Sequence, residues 1–134
     1  MEAGAAQERG LKPRARLVAY AHAGVEPQVM GLGPIPAVKR VFDKSGLKPS
    51  DMDVIESNEA FAAQAMAVTK DLGLDPAKVN PNGGAIALGH PIGATGARII
   101  TTLIYALKKR GLKKGVAALC IGGGEGTAVA LEVL

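Results

Sequence analysis

Cys120 stands where a thiol could take part in acyl-transfer or proton-transfer chemistry. It is the only cysteine in the sequence, and the glycine run Gly122 to Gly124 begins two residues later. A thiol there could attack a carbonyl carbon, or could move a proton once an imidazole lowers its pKa. The glycine N–H groups could bind an oxygen that becomes negatively charged. The local sequence alone favours an inert core residue, because free cysteine is among the most buried residue types.

His90 and Asn58 are the other candidates for chemistry. His90 lies between Gly89 and Pro91, in a stiff loop that restricts the imidazole. A positioned imidazole can act as acid or base, or can donate Nε2–H to a carbonyl oxygen. Asn58 follows a predicted buried strand and precedes a predicted helix. It is therefore either a helix N-cap or an amide that holds a water or a carbonyl at the strand end.

The hydrophobic pattern predicts alternating strands and helices that would position these residues. The predicted strands are Leu17 to Ala23, Val54 to Ser57, Val116 to Ile121 and Thr127 to Val133, the last two forming a hairpin. The predicted helices run from Pro36 to about Gly46, from Glu59 to Leu72, and through the apolar positions Ile100 to Leu107, ending at Gly111. This order indicates a layered α/β fold, with a mixed sheet covered by helices, whose strand ends form a crevice for ligands.

Composition predicts one folded domain over residues 1–134. The chain has 16 Lys and Arg against 12 Asp and Glu, a net charge of +4, and is 48% hydrophobic, which excludes a disordered chain. One cysteine and two distant histidines exclude a zinc cluster, so we expect no metal. The basic group Lys108 to Lys114 ends a helix and lacks stacking aromatics, which favours a solvated face over nucleic-acid binding.

The sequence also predicts a protein that neither enters a membrane nor follows a secretory route. No signal peptide is visible, and the longest stretch free of charged residues, Val79 to Ala97, is interrupted by prolines and glycines. With a single cysteine, these features predict a cytoplasmic location. The motifs GxxxxGK[ST] and GxGxxG are missing, so nothing indicates a nucleotide-binding loop.

Three motifs together resemble the C-terminal half of a thiolase, the acetyl-CoA acetyltransferase family. They are NEAF at Asn58 to Phe61, NGGAIALGHPIGATGAR at Asn82 to Arg98 and CIGGGEG at Cys120 to Gly126. MGLGPIPA at Met30 to Ala37 is also similar, and the resemblance covers nearly the whole chain from about Leu11 onward. It implies a thiolase-like layered fold. The implied reaction is Claisen condensation of two acyl-CoA molecules, or thiolytic cleavage of a 3-ketoacyl-CoA, with CoA and acetyl-CoA as substrates and no permanently bound cofactor.

The resemblance also implies a role for each candidate residue. The thiolase residue matching Cys120 is the acid/base, and the match to His90 activates a nucleophilic cysteine and helps bind a thioester oxygen. The match to Asn58 holds a water that completes this first oxyanion hole. The backbone N–H at the match to Gly122 contributes to a second oxyanion hole.

The resemblance places Met30 and Phe61 near the substrate pocket. It also implies that the nucleophilic cysteine and the CoA-binding loop domain belong to parts of a thiolase that this sequence lacks. We expect the chain to begin within the first helix of its half and to lack the first strand. An incomplete sheet predicts a homo-oligomer, a strand exchange or a partner polypeptide such as a thiolase N-terminal half. The isolated chain is expected to be inactive.

Two other interpretations stay open. The chain could be a noncatalytic association module whose motifs only shape its loops, or it could resemble a ketosynthase. NEAF, GHP and CIGGG together match the thiolase pattern more closely than the ketosynthase pattern. Copurification with a thiolase N-terminal chain would favour the enzyme, whereas a stable homo-oligomer indifferent to CoA esters would favour the association module.

Overall fold

A mixed four-stranded sheet forms the centre of the protein, which a computed structural model describes over residues 1–134. The strands are β1 (Ala15–Gly24), β2 (Val54–Ser57), β3 (Lys114–Ile121) and β4 (Glu125–Val133), in the order β1-β4-β3-β2. β2 runs parallel to β3, while β4 is antiparallel to both β1 and β3. The sequence prediction of a mixed sheet ending in a hairpin is confirmed.

Five helices surround this sheet. They are α1 (Ala3–Glu8), α2 (Pro34–Ser45), α3 (Ala62–Asp71), α4 (Ala85–Leu88) and α5 (Thr95–Arg110). Four short 3-10 segments connect them: Pro27–Leu32, Pro49–Asp51, Pro76–Lys78 and Ile92–Ala94. α2 and α5 end where the sequence predicts, at Gly46 and Gly111, because both glycines adopt the left-handed conformation that closes a helix at little cost. None of the helices combines the length and apolar composition of a membrane span.

The helices divide the buried residues between the two faces of the sheet. α2 packs across β1, β4 and β3 on one face, where sixteen buried apolar residues form the larger cluster. α5 packs on β2, β3 and β4 on the other face, over a cluster of eight. The layered α/β architecture with helices on both faces is therefore confirmed.

Two helix starts differ from the sequence prediction. α2 begins at Pro34, two residues early, and α3 begins at Ala62, three residues late. The prediction of Asn58 as a helix N-cap is wrong, because the N-cap of α3 is Phe61. Asn58 instead continues the line of β2, since its N–H donates to the carbonyl oxygen of Ala118 on β3 at 2.9 Å. The expected lack of a first strand concerns a longer thiolase chain and stays a prediction.

Candidate active site

A cavity of about 380 Å³ opens at the carboxyl end of β3. Five of the six residues predicted for the site line it: Met30, Phe61, His90, Cys120 and Gly122. They come from the 3-10 segment before α2, the start of α3, the loop before α5 and the end of β3. A larger cavity of about 640 Å³ lies between α1 and β1, but no cysteine, histidine or acidic side chain lines it. Two further cavities, of about 450 and 640 Å³, are lined by His22 with Glu125 and by Glu59 with Lys70. The cavity at the end of β3 differs from these three in placing a cysteine beside a histidine.

Cys120 lies one residue before the end of β3, opposite Gly126 on β4. Its side chain is a wall of the cavity although the residue is only 7% exposed. Burial raises the pKa of the thiol above its usual range, against a smaller lowering by a backbone hydrogen bond. The protonated thiol is thus the favoured form, and its thiolate, once formed, would be a stronger base than that of an ordinary cysteine.

The turn between β3 and β4 leaves space beside Cys120. Gly123 and Gly124 adopt φ values of 91° and 95°, which side chains rarely tolerate. Gly122 lines the cavity, and a Cβ added to it would meet no atom within 4 Å. A substrate oxygen could therefore approach this backbone without obstruction.

His90 is tied to the first residue of α5. Its Nδ1 atom lies 2.7 Å from Oγ1 of Thr95, and that hydroxyl in turn donates to the carbonyl oxygen of Pro91 at 3.0 Å. Thr95 is 1% exposed, whereas His90 is exposed on the cavity wall. A buried hydroxyl thus holds an accessible imidazole.

Asn58 lies outside the residues that line the cavity. It is 1% exposed, and its Oδ1 accepts a hydrogen bond from Nη2 of Arg98 at 3.2 Å. Its Nδ2 has no partner in the protein, so the amide keeps donor capacity. Any contact between Asn58 and a substrate would have to be indirect.

Glu59 binds the segment that precedes the His90 loop along the chain. Its two carboxylate oxygens accept hydrogen bonds from Nδ2 of Asn80 at 3.1 Å and from the N–H of Ile86 at 3.0 Å. Asn80, with a φ of 47°, also exchanges two hydrogen bonds with the backbone of Ser57. Together these bonds hold residues 80–86 against the end of β2 and so position the following loop.

Sequence reasoning missed four residues that support the site: Glu59, Asn80, Thr95 and Arg98. Their partners lie four to forty positions away along the chain. The available signals were the acidic residue within NEAF and the asparagine that opens the glycine-rich loop. No comparable signal distinguishes Thr95 from an ordinary first-turn threonine.

The sequence profile of the thiolase C-terminal domain matches residues 11–133. The chain belongs to the thiolase family. It is 61% identical over 132 residues to the acetyl-CoA acetyltransferase of Allochromatium vinosum, covering 98% of this chain and 34% of that relative. It is 59% identical to the beta-ketothiolase BktB of Cupriavidus necator, again covering 98% of this chain and 34% of the relative.

Solved thiolase structures have the same fold. The acetyl-CoA acetyltransferase of Bacillus anthracis superimposes with a TM-score of 0.97 at 54% identity, over 100% of this chain and 34% of that one. Human mitochondrial 3-ketoacyl-CoA thiolase, in a structure with CoA, superimposes with a TM-score of 0.96 at 47% identity, over 98% of this chain and 34% of that one. This thiolase C-terminal domain therefore spans about a third of the length of the relatives it matches.

Proposed function

We propose that this domain supplies the acid/base half of a thiolase active site acting on acyl-CoA thioesters. One observation carries the proposal: a single cavity brings together Cys120, His90 and Gly122 at the end of β3. These are the residues whose types suit proton transfer and oxyanion binding. Met30 and Phe61 form apolar walls of the same cavity, as a site for an acyl group needs.

Cys120 moves the proton in this proposal. In condensation its thiolate takes a proton from C2 of acetyl-CoA, and the resulting enolate carbon bonds to an acyl carbon as the bond between that carbon and a nucleophilic sulfur breaks. In cleavage the steps run backwards, and the thiol returns the proton to the enolate carbon. The raised pKa of Cys120 supports the abstraction step, because it makes the thiolate a stronger base towards the proton on C2 of acetyl-CoA.

His90, Asn58 and Gly122 stabilise the negative oxygens of these steps. His90 and a water held by Asn58 form one oxyanion hole, which agrees with the buried position of the amide behind the wall and its free Nδ2 donor. The N–H of Gly122 contributes to the other oxyanion hole, where the open space beside its Cα admits the substrate.

The nucleophile comes from another polypeptide segment. Cys120 is the only cysteine in the chain, and in this proposal it is occupied with proton transfer. A thiolase N-terminal half is therefore the proposed partner, with a homo-oligomer as the alternative, and CoA thioesters are substrates rather than resident cofactors. The free buried thiol is in keeping with a reducing compartment such as the cytoplasm.

Reconstitution tests the proposal. The purified, folded chain is assayed for CoA-dependent cleavage of acetoacetyl-CoA, alone and mixed with the N-terminal half of a related acetyl-CoA acetyltransferase. We expect no turnover by the chain alone and turnover by the mixture. Replacing Cys120→Ser should lower kcat of the mixture by about 100-fold or more, whereas His22→Gln, outside the proposed site, should leave it unchanged.

Two results would contradict the proposal in different ways. Turnover by the chain alone, lost in Cys120→Ser, would mean that no second nucleophile is needed. A stable complex of the two halves with no turnover would favour the noncatalytic association module.

A further inference from the structure

The hydroxyl group of Thr95 has two partners but only one proton. Its Oγ1 lies 3.0 Å from the carbonyl oxygen of Pro91 and 2.7 Å from Nδ1 of His90. A carbonyl oxygen can only accept, so the hydroxyl proton lies between Thr95 and Pro91. The opposite assignment would place two acceptor oxygens 3.0 Å apart with no proton between them. Oγ1 is therefore left as an acceptor towards the imidazole.

An accepting Oγ1 determines where the imidazole proton lies. Neutral histidine carries one N–H, and a short contact with an acceptor requires that N–H to be on Nδ1. Nε2 is then unprotonated and has no partner within the protein. His90 lines the same cavity as Cys120, so this ring nitrogen is available to a group that enters it.

Thr95 is well suited to fix this arrangement. It is the first residue of α5, it is 1% exposed, and its β-branched side chain has few alternative rotamers. The carbonyl of Pro91 also accepts from the N–H of Ala94 at 2.7 Å, so both ends of the contact are anchored. Burial and the hydrogen bond to Pro91 consequently keep the hydroxyl in one position.

We propose that Thr95 is a positioning residue that keeps neutral His90 as the Nδ1–H tautomer, with Nε2 as the proton acceptor of the cavity. Its catalytic meaning rests on the proposed function. An unprotonated Nε2 can take the proton of an incoming nucleophilic thiol, and the resulting Nε2–H can then donate to a thioester oxygen. The other tautomer would offer Nε2–H at the start and could not accept that proton.

Long-range ¹H–¹⁵N NMR of the folded chain tests the proposal without any activity. The chain has two histidines, so His22 on β1 is an internal control. At about pH 8, where histidine is ordinarily neutral, wild type should show His90 protonated on Nδ1. Thr95→Ser should keep this pattern, whereas Thr95→Val, similar in shape but without the hydroxyl, should shift the proton to Nε2. The His22 signals should not change.

Three results would overturn the proposal. The first is a wild-type His90 protonated mainly on Nε2, which decides the matter even if Thr95→Val fails to fold. The second is an unchanged Nδ1–H signal in a Thr95→Val chain that melts cooperatively. The third is a reconstituted enzyme whose kcat is as high in Thr95→Val as in Thr95→Ser, where we expect about a tenfold loss at similar KM. Absence of turnover in every variant would count against the proposed function alone, because the NMR pattern is independent of it.

Discussion

Glu56 is a carboxyl group that the protein has enclosed behind the candidate site. It lies on β2, is 1% exposed, and its Oε1 has no hydrogen-bond partner. Burial raises its pKa from 4.5 to about 7, the positive charge of Arg98 opposes this change, and Glu59 adds to it. The protonated form is therefore the one that the folded chain accommodates best.

Replacing Glu56→Gln should change how stability depends on pH. The folded pKa of about 7 exceeds the unfolded value near 4.5, so the folded state binds more protons between these values. The contribution of protonated Glu56 to the free energy of unfolding is fully present below about pH 4.5 and is lost as pH rises through about 7. Glutamine resembles the protonated form at every pH. Above pH 7 the variant should be more stable than wild type, by up to about 3 kcal/mol in the free energy of unfolding.

Urea unfolding at pH 5 and at pH 8 measures this effect. Glu26→Gln, at an exposed position, is the matched control and should follow the wild-type profile. If the free energy of unfolding changed with pH equally in wild type and Glu56→Gln, the buried carboxyl would not be the source of the pH dependence of stability.

At the residue scale, the sequence predicted five residues that line the cavity but missed the residues that hold them in place. Cys120, His90 and Gly122 lie in motifs whose glycines and prolines mark a special backbone. Thr95 and Arg98 act through hydrogen bonds to His90 and Asn58 that exist only after the loop and α5 have packed. A lone threonine or arginine in a helix carries no such information. The catalytic roles themselves remain predictions.

At the scale of elements, β4 and the start of α2 meet through backbone alone. A Cβ added to Gly126 would overlap the carbonyl group of Gly33 and would come 2.6 Å from the nitrogen of Pro34. A Cβ added to Gly33 would likewise overlap the backbone at Glu125. We call this contact the glycine contact. Neither side of it can give way without moving a strand or a helix.

Gly126→Ala should destabilise the chain by about 2 kcal/mol or more in the free energy of unfolding, because the added methyl group must displace backbone. Gly93→Ala is the matched control, since a Cβ there would meet nothing within 4 Å. It should change stability by no more than about 0.5 kcal/mol. Urea unfolding measures both variants, and equal midpoints would refute the close approach at Gly126.

The sequence predicted strands and helix ends better than helix starts. Apolar runs such as Val116 to Ile121, short and flanked by glycines, indicate buried strands, and Gly46 and Gly111 are clear helix stops. The predicted start of α3 was wrong because an asparagine before a helix resembles an N-cap. The hydrogen bond from Asn58 to Ala118 on the neighbouring strand overrides that local preference.

At the scale of the whole molecule, the two faces of the sheet are covered unequally. α2 packs against β1, but α5 lies mainly over β2, β3 and β4. Leu17 and Tyr20 of β1 line a small apolar cavity of about 210 Å³ beside Ile100 of α5, and Leu17 is 56% exposed. A sheet in a layered α/β fold is ordinarily covered on both faces. This part of the surface is where the proposed N-terminal half should pack.

Leu17→Lys should weaken binding of the N-terminal half by about tenfold or more, because a charge would be buried in an apolar contact. Met66→Lys on α3 is the control, since Met66 is 73% exposed on the opposite side of the sheet, and it should bind like wild type. Sedimentation velocity of mixtures measures the affinity. Equal affinities for both variants would move the proposed interface elsewhere.

The fold class was predictable because alternation of strand and helix patterns has few solutions that bury every apolar face. Pairing order was not, since nothing in the apolar runs distinguishes β1 beside β4 from β1 beside β2. The glycine-rich motifs, together with NEAF, carried the resemblance from which the thiolase family was predicted.

The glycine contact also bears on the size of the acyl group that the proposed site could accept. Met30 is joined to Gly33 by a backbone hydrogen bond of 3.0 Å, and Cys120 is the cross-strand neighbour of Gly126. The Met30 wall and the Cys120 wall of the cavity are thus connected through main-chain atoms. Their spacing cannot change by a different packing of side chains. Evolution or an engineer could widen or narrow the space between these walls by changing the length of the side chain at position 30, while the backbone on either side keeps its spacing.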